Sequence, residues 1–178
     1  MDEVKRIGRE LKYKGVIVDM YSDKMEFANG NTAEWDYVAH RKGAAAVVPV
    51  LDNGHILMVK QYRNAIERET LEIPAGSRDS VDEPTRICAA RELEEETGYK
   101  TDNLELLITV ATTVAFCNEK IDIYLARDLK PARQHLDENE FLDVYEYDID
   151  ELLQMIFDRK IQDSKTMAAL LAYKAKYL

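Results

Sequence analysis

The chain has 178 residues, enough to bury roughly 70% of its unfolded surface around one core without staples, and its 46% hydrophobic and 33% charged composition is that of an ordinary globular domain. A net charge of −10 with no basic stripe argues against a nucleic-acid partner. No apolar run is long enough to span a bilayer, and residues 1–6 do not lead into a signal-peptide core, so no membrane partner is expected and the cytoplasm is the expected compartment. Cys88 and Cys117 are too few for a disulfide framework and read as reduced.

Residues 15–21 and 32–38 read as strands joined across Asn29-Gly30, a strong turn dipeptide, and predict an antiparallel arm. The apolar runs 44–51 and 56–63 flank Asp52-Asn53-Gly54 and predict a hairpin at the heart of a sheet. Residues 71–76 read as a short strand running into a turn. Asp82-Glu83-Pro84 then looks like a helix start, with proline in the first turn. Ile87, Ala90, Leu93 and Thr97 give that helix one apolar or small stripe, and Gly98 stops it. Further strands are expected at about 104–110, 120–126 and 141–147, and amphipathic helices at about 149–158 and 164–176. Without repeats or a linker, the chain parses as an arm, 1–40, and one domain, 41–178. The fold class is α/β (α+β), a mixed sheet held between helices.

The helix carries the most informative segment, Arg91-Glu92-Leu93-Glu94-Glu95-Glu96-Thr97-Gly98-Tyr99. Glu92, Glu95 and Glu96 stand at i, i+3 and i+4, where like charges repel by roughly 0.2–0.5 kcal/mol per pair. A run of glutamates is ordinarily just a solvated face. Here a hard divalent cation that takes carboxylate oxygens, such as Mg²⁺, would remove the repulsion and keep positions open for phosphate. Glu94 points elsewhere.

Gly76, six residues, Glu83, seven residues and then that segment resemble the Nudix box, the signature of the Nudix hydrolases. The usual pattern has five residues between the glycine and the first glutamate. This chain therefore has either one extra residue in that loop, or Asp82 in the glutamate's place with the extra residue before Arg91. The order of the remaining pieces resembles the ADP-ribose pyrophosphatases and related nucleotide-sugar pyrophosphatases. It covers the arm, Lys60-Gln61-Tyr62-Arg63, residues 71–76, 116–119, 136–141 and 160–163.

The resemblance implies a Nudix fold and metal-dependent hydrolysis of the diphosphate bond in a nucleoside diphosphate linked to a sugar. ADP-ribose, going to AMP and ribose 5-phosphate, is the leading case, and GDP-mannose or another nucleotide sugar is the runner-up. A non-catalytic domain that senses ADP-ribose is the reading from a different class. The ion is expected to be Mg²⁺, with Mn²⁺ as the alternative, held by the Ala75 carbonyl, Glu92, Glu95 and Glu96. Arg91 is read as orienting the glutamates by charge-assisted hydrogen bonds, so Arg91 and Glu95 join the catalytic set. A general base must come from outside the box, because metal-bound carboxylates are poor proton acceptors. By position in residues 137–140, Glu138 is assigned as base and Glu140 as a further ligand. Arg63 and Glu72 are placed by the resemblance near the terminal ribose and phosphate, Gly76 is also assigned to the substrate, and Trp35 and Tyr37 in the arm are candidates to stack on the base. Proteins of this group imply a homodimer with exchanged N-terminal strands. Two positions depart from the pattern: Thr113-Val114-Ala115 stands where Ser-Pro-Gly is common, and Asp36 where the arm often has a basic residue.

Overall fold

In a computed structural model of the chain, residues 4–178 are described. Three strands come first, β1 (Val4–Lys14), β2 (Val18–Phe27) and β3 (Thr32–His40). They are followed by β4 (Ala44–Pro49), β5 (Ile56–Arg63), β6 (Arg68–Glu72), β7 (Ala75–Ser77) and the helix α1 (Thr85–Thr97). Short β8 (Tyr99–Lys100), β9 (Asn103–Ala111), β10 (Lys120–Arg127), short β11 (Lys130–Pro131) and β12 (Leu142–Tyr147) lead to α2 (Ile149–Phe157) and α3 (Ser164–Tyr177).

β4 is buried at every position, as its unbroken apolar run requires of a strand covered on both faces. It lies between β10, which is parallel to it, and the antiparallel β7, giving a mixed sheet in the order β7-β4-β10-β9. Side chains on a strand alternate between faces, and the core divides accordingly. Ala45 and Val47, with Tyr124 and Ala126, pack against Cys88, Ala89 and Leu93 of α1. Ala46 and Val48, with Ile121, Ile123 and Leu125, pack with Ile149, Leu152 and Leu170 of α2 and α3. The sheet is thus held between helices, as expected.

The predicted hairpin at 52–54 is present only as a turn. The Leu51 amide donates to the His55 carbonyl at 2.9 Å, Gly54 takes φ 85°, and Val50 bridges Ile56. Beyond that bridge the strands part. Both hydrogen-bonding edges of β4 are taken by β7 and β10, so β5 builds a separate antiparallel sheet, β12-β5-β6.

The arm has three strands, in the order β1-β2-β3. Asn29-Gly30 forms the expected turn between β2 and β3, with Gly30 at φ 81°. Residues 15–17, expected as strand, instead make the β1–β2 turn. There the Gly15 amide donates to the Val18 carbonyl at 2.9 Å, and Arg41 donates to the Val16 carbonyl at 2.7 Å as well as to Asp19. The arm meets the rest of the chain where Val38 bridges Cys117 and His40 donates its amide to Asn118 Oδ1 at 2.7 Å. Val4, Ile7, Leu11, Tyr13 and Trp35 are left exposed.

Candidate active site

The buried face of α1 is Cys88, Ala89, Glu92, Leu93, Glu96 and Thr97. Ile87, expected in the apolar stripe, is 52% exposed, whereas Glu96 is 1% exposed. The helix therefore turns two carboxylates inward where its apolar pattern alone would turn isoleucine. Pro84 caps the helix rather than entering its first turn, and Gly98 closes it at φ 71°.

What receives the glutamates is β7. A β-carbon at Gly76 would lie 2.2 Å from Glu92 Oε1, so only glycine lets the carboxylate lie against that strand. The Val47 amide donates to the Pro74 carbonyl at 2.9 Å, and Ala46 faces Ala75 in the β4–β7 register. Ladder bonds then fall on Pro74 and Gly76, and the backbone groups of Ala75 between them point off the sheet edge. The Ala75 amide accordingly donates to Glu96 Oε2 at 3.0 Å.

Arg91 spans the rim of this cluster. Its Nη1 donates to Glu92 Oε1 at 2.6 Å and to Glu95 Oε2 at 2.8 Å, and its Nη2 to the Ser77 carbonyl at 3.0 Å. Its Nε lies 3.4 Å from Glu83 Oε1, and Glu83 also accepts from the Asp79 amide at 2.7 Å. Of Asp82 and Glu83 it is therefore Glu83 that meets Arg91, and Asp82 is exposed. The extra residue lies in the loop after Gly76, which Arg78 secures by donating to the carbonyls of Val81 and Glu83 at 2.9 and 3.0 Å.

Burial pushes the Glu92 carboxyl up to about 7 despite Arg91. Burial, and then the neighbouring charge of Glu92, push Glu96 to about 9. The Glu140 charge raises both. The site is thus short of positive charge, and its donors are carboxylate and carbonyl oxygens, which suits a hard divalent cation. Among the described residues no three side chains already form a metal-holding group, and Arg91 bonds oxygens of Glu92 and Glu95.

Beside Ala75 and Gly76 opens a cavity of about 630 Å³ that Arg63, Glu72 and Lys165 also line. Arg63 grips Glu72 with two hydrogen bonds, Nε to Oε1 at 2.8 Å and Nη2 to Oε2 at 2.7 Å. Lys165 and Thr70 also bond to the Glu72 carboxylate, and Lys165 Nζ reaches Asp163 at 2.9 Å. Glu72 is 2% exposed. Burial would raise its carboxyl, but Arg63 and Lys165 overturn this and hold it at about 2. Glu72 is therefore spent on aligning cations, while Arg63 is half-buried at the cavity wall. Lys165 was not singled out from the sequence. Its one signal is a lysine in the first turn of α3, where the helix dipole disfavours positive charge.

The loop 137–141 borders a second cavity, with Gln61 and Tyr62 of β5. Glu140 is half-buried, whereas Glu138 is exposed. Trp35 is placed away from these groups. It packs edge-on against Phe27, ring centroids 5.9 Å apart, and lines a shallow pocket with Phe116. Thr112 and Glu119 enter the first cavity, and Val114 in the following loop is 84% exposed.

A glycine-backed pair of buried glutamates on a helix stands beside a cavity of about 630 Å³ lined by Arg63, Arg68 and Lys165 together with Glu72, Glu119 and Asp163. The NUDIX domain family matches residues 40–170, and the chain belongs to that family, as a hydrolase. Among similar proteins is the methanol dehydrogenase activator of Bacillus methanolicus, 42% identical over 170 residues, covering 94% of this chain and 91% of the relative. The ADP-ribose pyrophosphatase of Bacillus subtilis (strain 168) is 38% identical over 178 residues, covering 99% and 92%. A crystal structure of an ADP compounds hydrolase shares the fold, with TM-score 0.88 at 22% identity, covering 98% of this chain and 94% of that one.

Proposed function

We propose that the chain hydrolyses a nucleoside diphosphate linked to a sugar, with ADP-ribose converted to AMP and ribose 5-phosphate. The observation that carries this reading is the contact of Gly76 with Glu92 beside the buried Glu96, because it assembles a charge-deficient oxygen site at the mouth of a cavity that holds Arg63. Similarity to the Bacillus subtilis pyrophosphatase over nearly the whole chain supports the substrate.

Glu92, Glu96 and the Ala75 carbonyl would hold Mg²⁺, with Glu95 and Glu140 as further ligands. The bound ion would stabilise charge at the attacked phosphorus and lower the pKa of a water. Arg91 keeps Glu92 and Glu95 in place through its two short bonds. Arg63, aligned by Glu72, presents its guanidinium to the phosphate of the sugar half. Glu138, exposed and free of the box, takes the proton from the attacking water.

The arm completes the reading. Its three-stranded sheet leaves Val4, Ile7 and Leu11 exposed, and exchange of arms in a homodimer would cover them. Such exchange would also bring Trp35 to a second cavity, where it stacks on the base. Free Cys88 and Cys117 suit the cytoplasm. Among the described residues no helix is long and apolar enough to cross a membrane.

The test is release of phosphate esters from ADP-ribose, GDP-mannose, ADP-glucose, UDP-glucose and dGTP with Mg²⁺, comparing wild type with Glu96→Gln. ADP-ribose turnover abolished by the substitution supports the reading. Preference for another nucleotide sugar replaces the substrate, and tight binding of ADP-ribose without turnover leaves a sensor.

A further inference from the structure

Gln61 is 9% exposed, and its Nε2 is a buried donor without a hydrogen-bond partner, alone in that respect among the described residues. A buried N–H without an acceptor is costly, so an acceptor is missing from its surroundings. The residue lines the cavity of about 710 Å³ walled by Tyr62 and residues 137–141. Its cross-strand partner on β12 is Leu142, the first residue after that loop.

Opposed residues of an antiparallel pair project to the same face. The ladder ends at the Gln61–Leu142 pair, and Glu140, whose amide donates to the Asp137 carbonyl at 3.0 Å in the preceding turn, lines the same cavity as Gln61. Glu140 is half-buried, and one of its carboxylate oxygens lies 3.4 Å from the Asp137 amide. The strand that follows Glu140, β12, packs against α1, as does β5. Arg63, the other long donor on this face, is committed to Glu72.

We propose that Gln61 is a positioning residue whose side-chain amide donates to the Glu140 carboxylate, holding it over Glu92 and Glu96 when the site is loaded. The inference rests on the reading that Glu140 joins the metal-holding set. The partner is acidic and the donor neutral, so the bond fixes the position of the carboxylate without competing for the cation's charge.

The experiment measures Mn²⁺ binding by electron paramagnetic resonance, melting of the metal-free protein, and ADP-ribose turnover in Gln61→Leu, Gln61→Glu, Glu140→Gln and the Gln61→Leu/Glu140→Gln pair. Outer-shell partners of metal ligands typically carry about 10- to 100-fold in affinity or activity. Gln61→Leu is expected to weaken Mn²⁺ binding and kcat by about 10-fold while the metal-free protein melts no lower than wild type. Gln61→Glu, which sets two carboxylates together, is expected to lose more, and Gln61→Leu to cost nothing further once Glu140→Gln is present. Wild-type Mn²⁺ affinity in Gln61→Leu, or losses that add fully in the pair, overturn the inference. So does a metal-free protein destabilised in step with its lost activity, which marks Gln61 as packing only. If Gln61→Leu does not fold, Gln61→Glu decides, since Mn²⁺ affinity equal to wild type overturns the proposal. Mn²⁺ binding that depends on Gln61 in a protein inactive on every nucleotide sugar defeats the substrate reading and leaves this one standing.

Discussion

The Glu92 carboxylate fills the space a side chain at Gly76 would need, with Oε1 2.2 Å from the position of a β-carbon there. Gly76→Ala must therefore move either β7 or the glutamate. Turnover is expected to fall at least about 100-fold, on the scale of misplacing a reacting group by an ångström. The secondary structure measured by circular dichroism should be unchanged, since Gly76 has no positive φ that glycine alone can adopt.

Glu96→Gln separates chemistry from stability. The amide oxygen still accepts from Ala75, but the negative charge is gone. Turnover should fall at least about 100-fold, while the metal-free protein at pH 8 should melt at or above the wild-type temperature. Calorimetry with and without Mg²⁺ checks both halves, because the stabilisation by Mg²⁺ should shrink in the variant.

Metal-free protein should lose stability as pH rises. Unfolded glutamate releases its proton near 4.5, whereas folded Glu92 and Glu96 hold theirs to about 7 and about 9. Between 4.5 and 9 the folded state thus binds more protons than the unfolded state, and stability falls with pH by at most about 1.4 kcal/mol per pH unit per group. Both groups contribute up to 7 and Glu96 alone beyond. Mg²⁺ should raise the melting temperature more at pH 8 than at pH 5.

Glu72 behaves in the opposite sense. Its folded carboxyl sits at about 2 against 4.5 unfolded, so its stabilisation is complete above 4.5 and is lost as pH falls toward 2. Lys165→Met removes one of its two cations from a buried position and should cost about 3 kcal/mol in urea unfolding, the scale of breaking a buried ion pair. It should also raise KM for ADP-ribose through Arg63.

Deleting residues 1–40 should convert a homodimer to a monomer in light scattering and weaken ADP-ribose binding. A protein that stays dimeric without its arm would rule out arm exchange.

Much of the fold was legible where the signal is local. Asn29-Gly30, Gly98 and the alternating or periodic runs of β9, β10, β12, α2 and α3 carry their own turn chemistry or period, and each element falls within a few residues of its expected place. β1 escaped because VKRIGRELKYK is charged along its length and its positions are mostly exposed, so no buried face marks the strand. The β4–β5 hairpin dissolved because an apolar strand does not say which neighbour occupies its edges, and β7 and β10 take both.

The box glutamates, Arg91 and the glycine were determined by the sequence itself, because a cluster of like charges on one helix face is chemically meaningful before any folding. Tertiary structure alone decided that α1 buries Glu92 and Glu96 while exposing Ile87, that Glu83 rather than Asp82 meets Arg91, and that Lys165, 93 residues away, completes the Glu72 network. Each of these depends on which backbone approaches the side chain. β7, with no β-carbon at Gly76 and a free amide at Ala75, makes the interior polar enough to receive two carboxylates, and that approach is set by strand order and not by the helix's own residues.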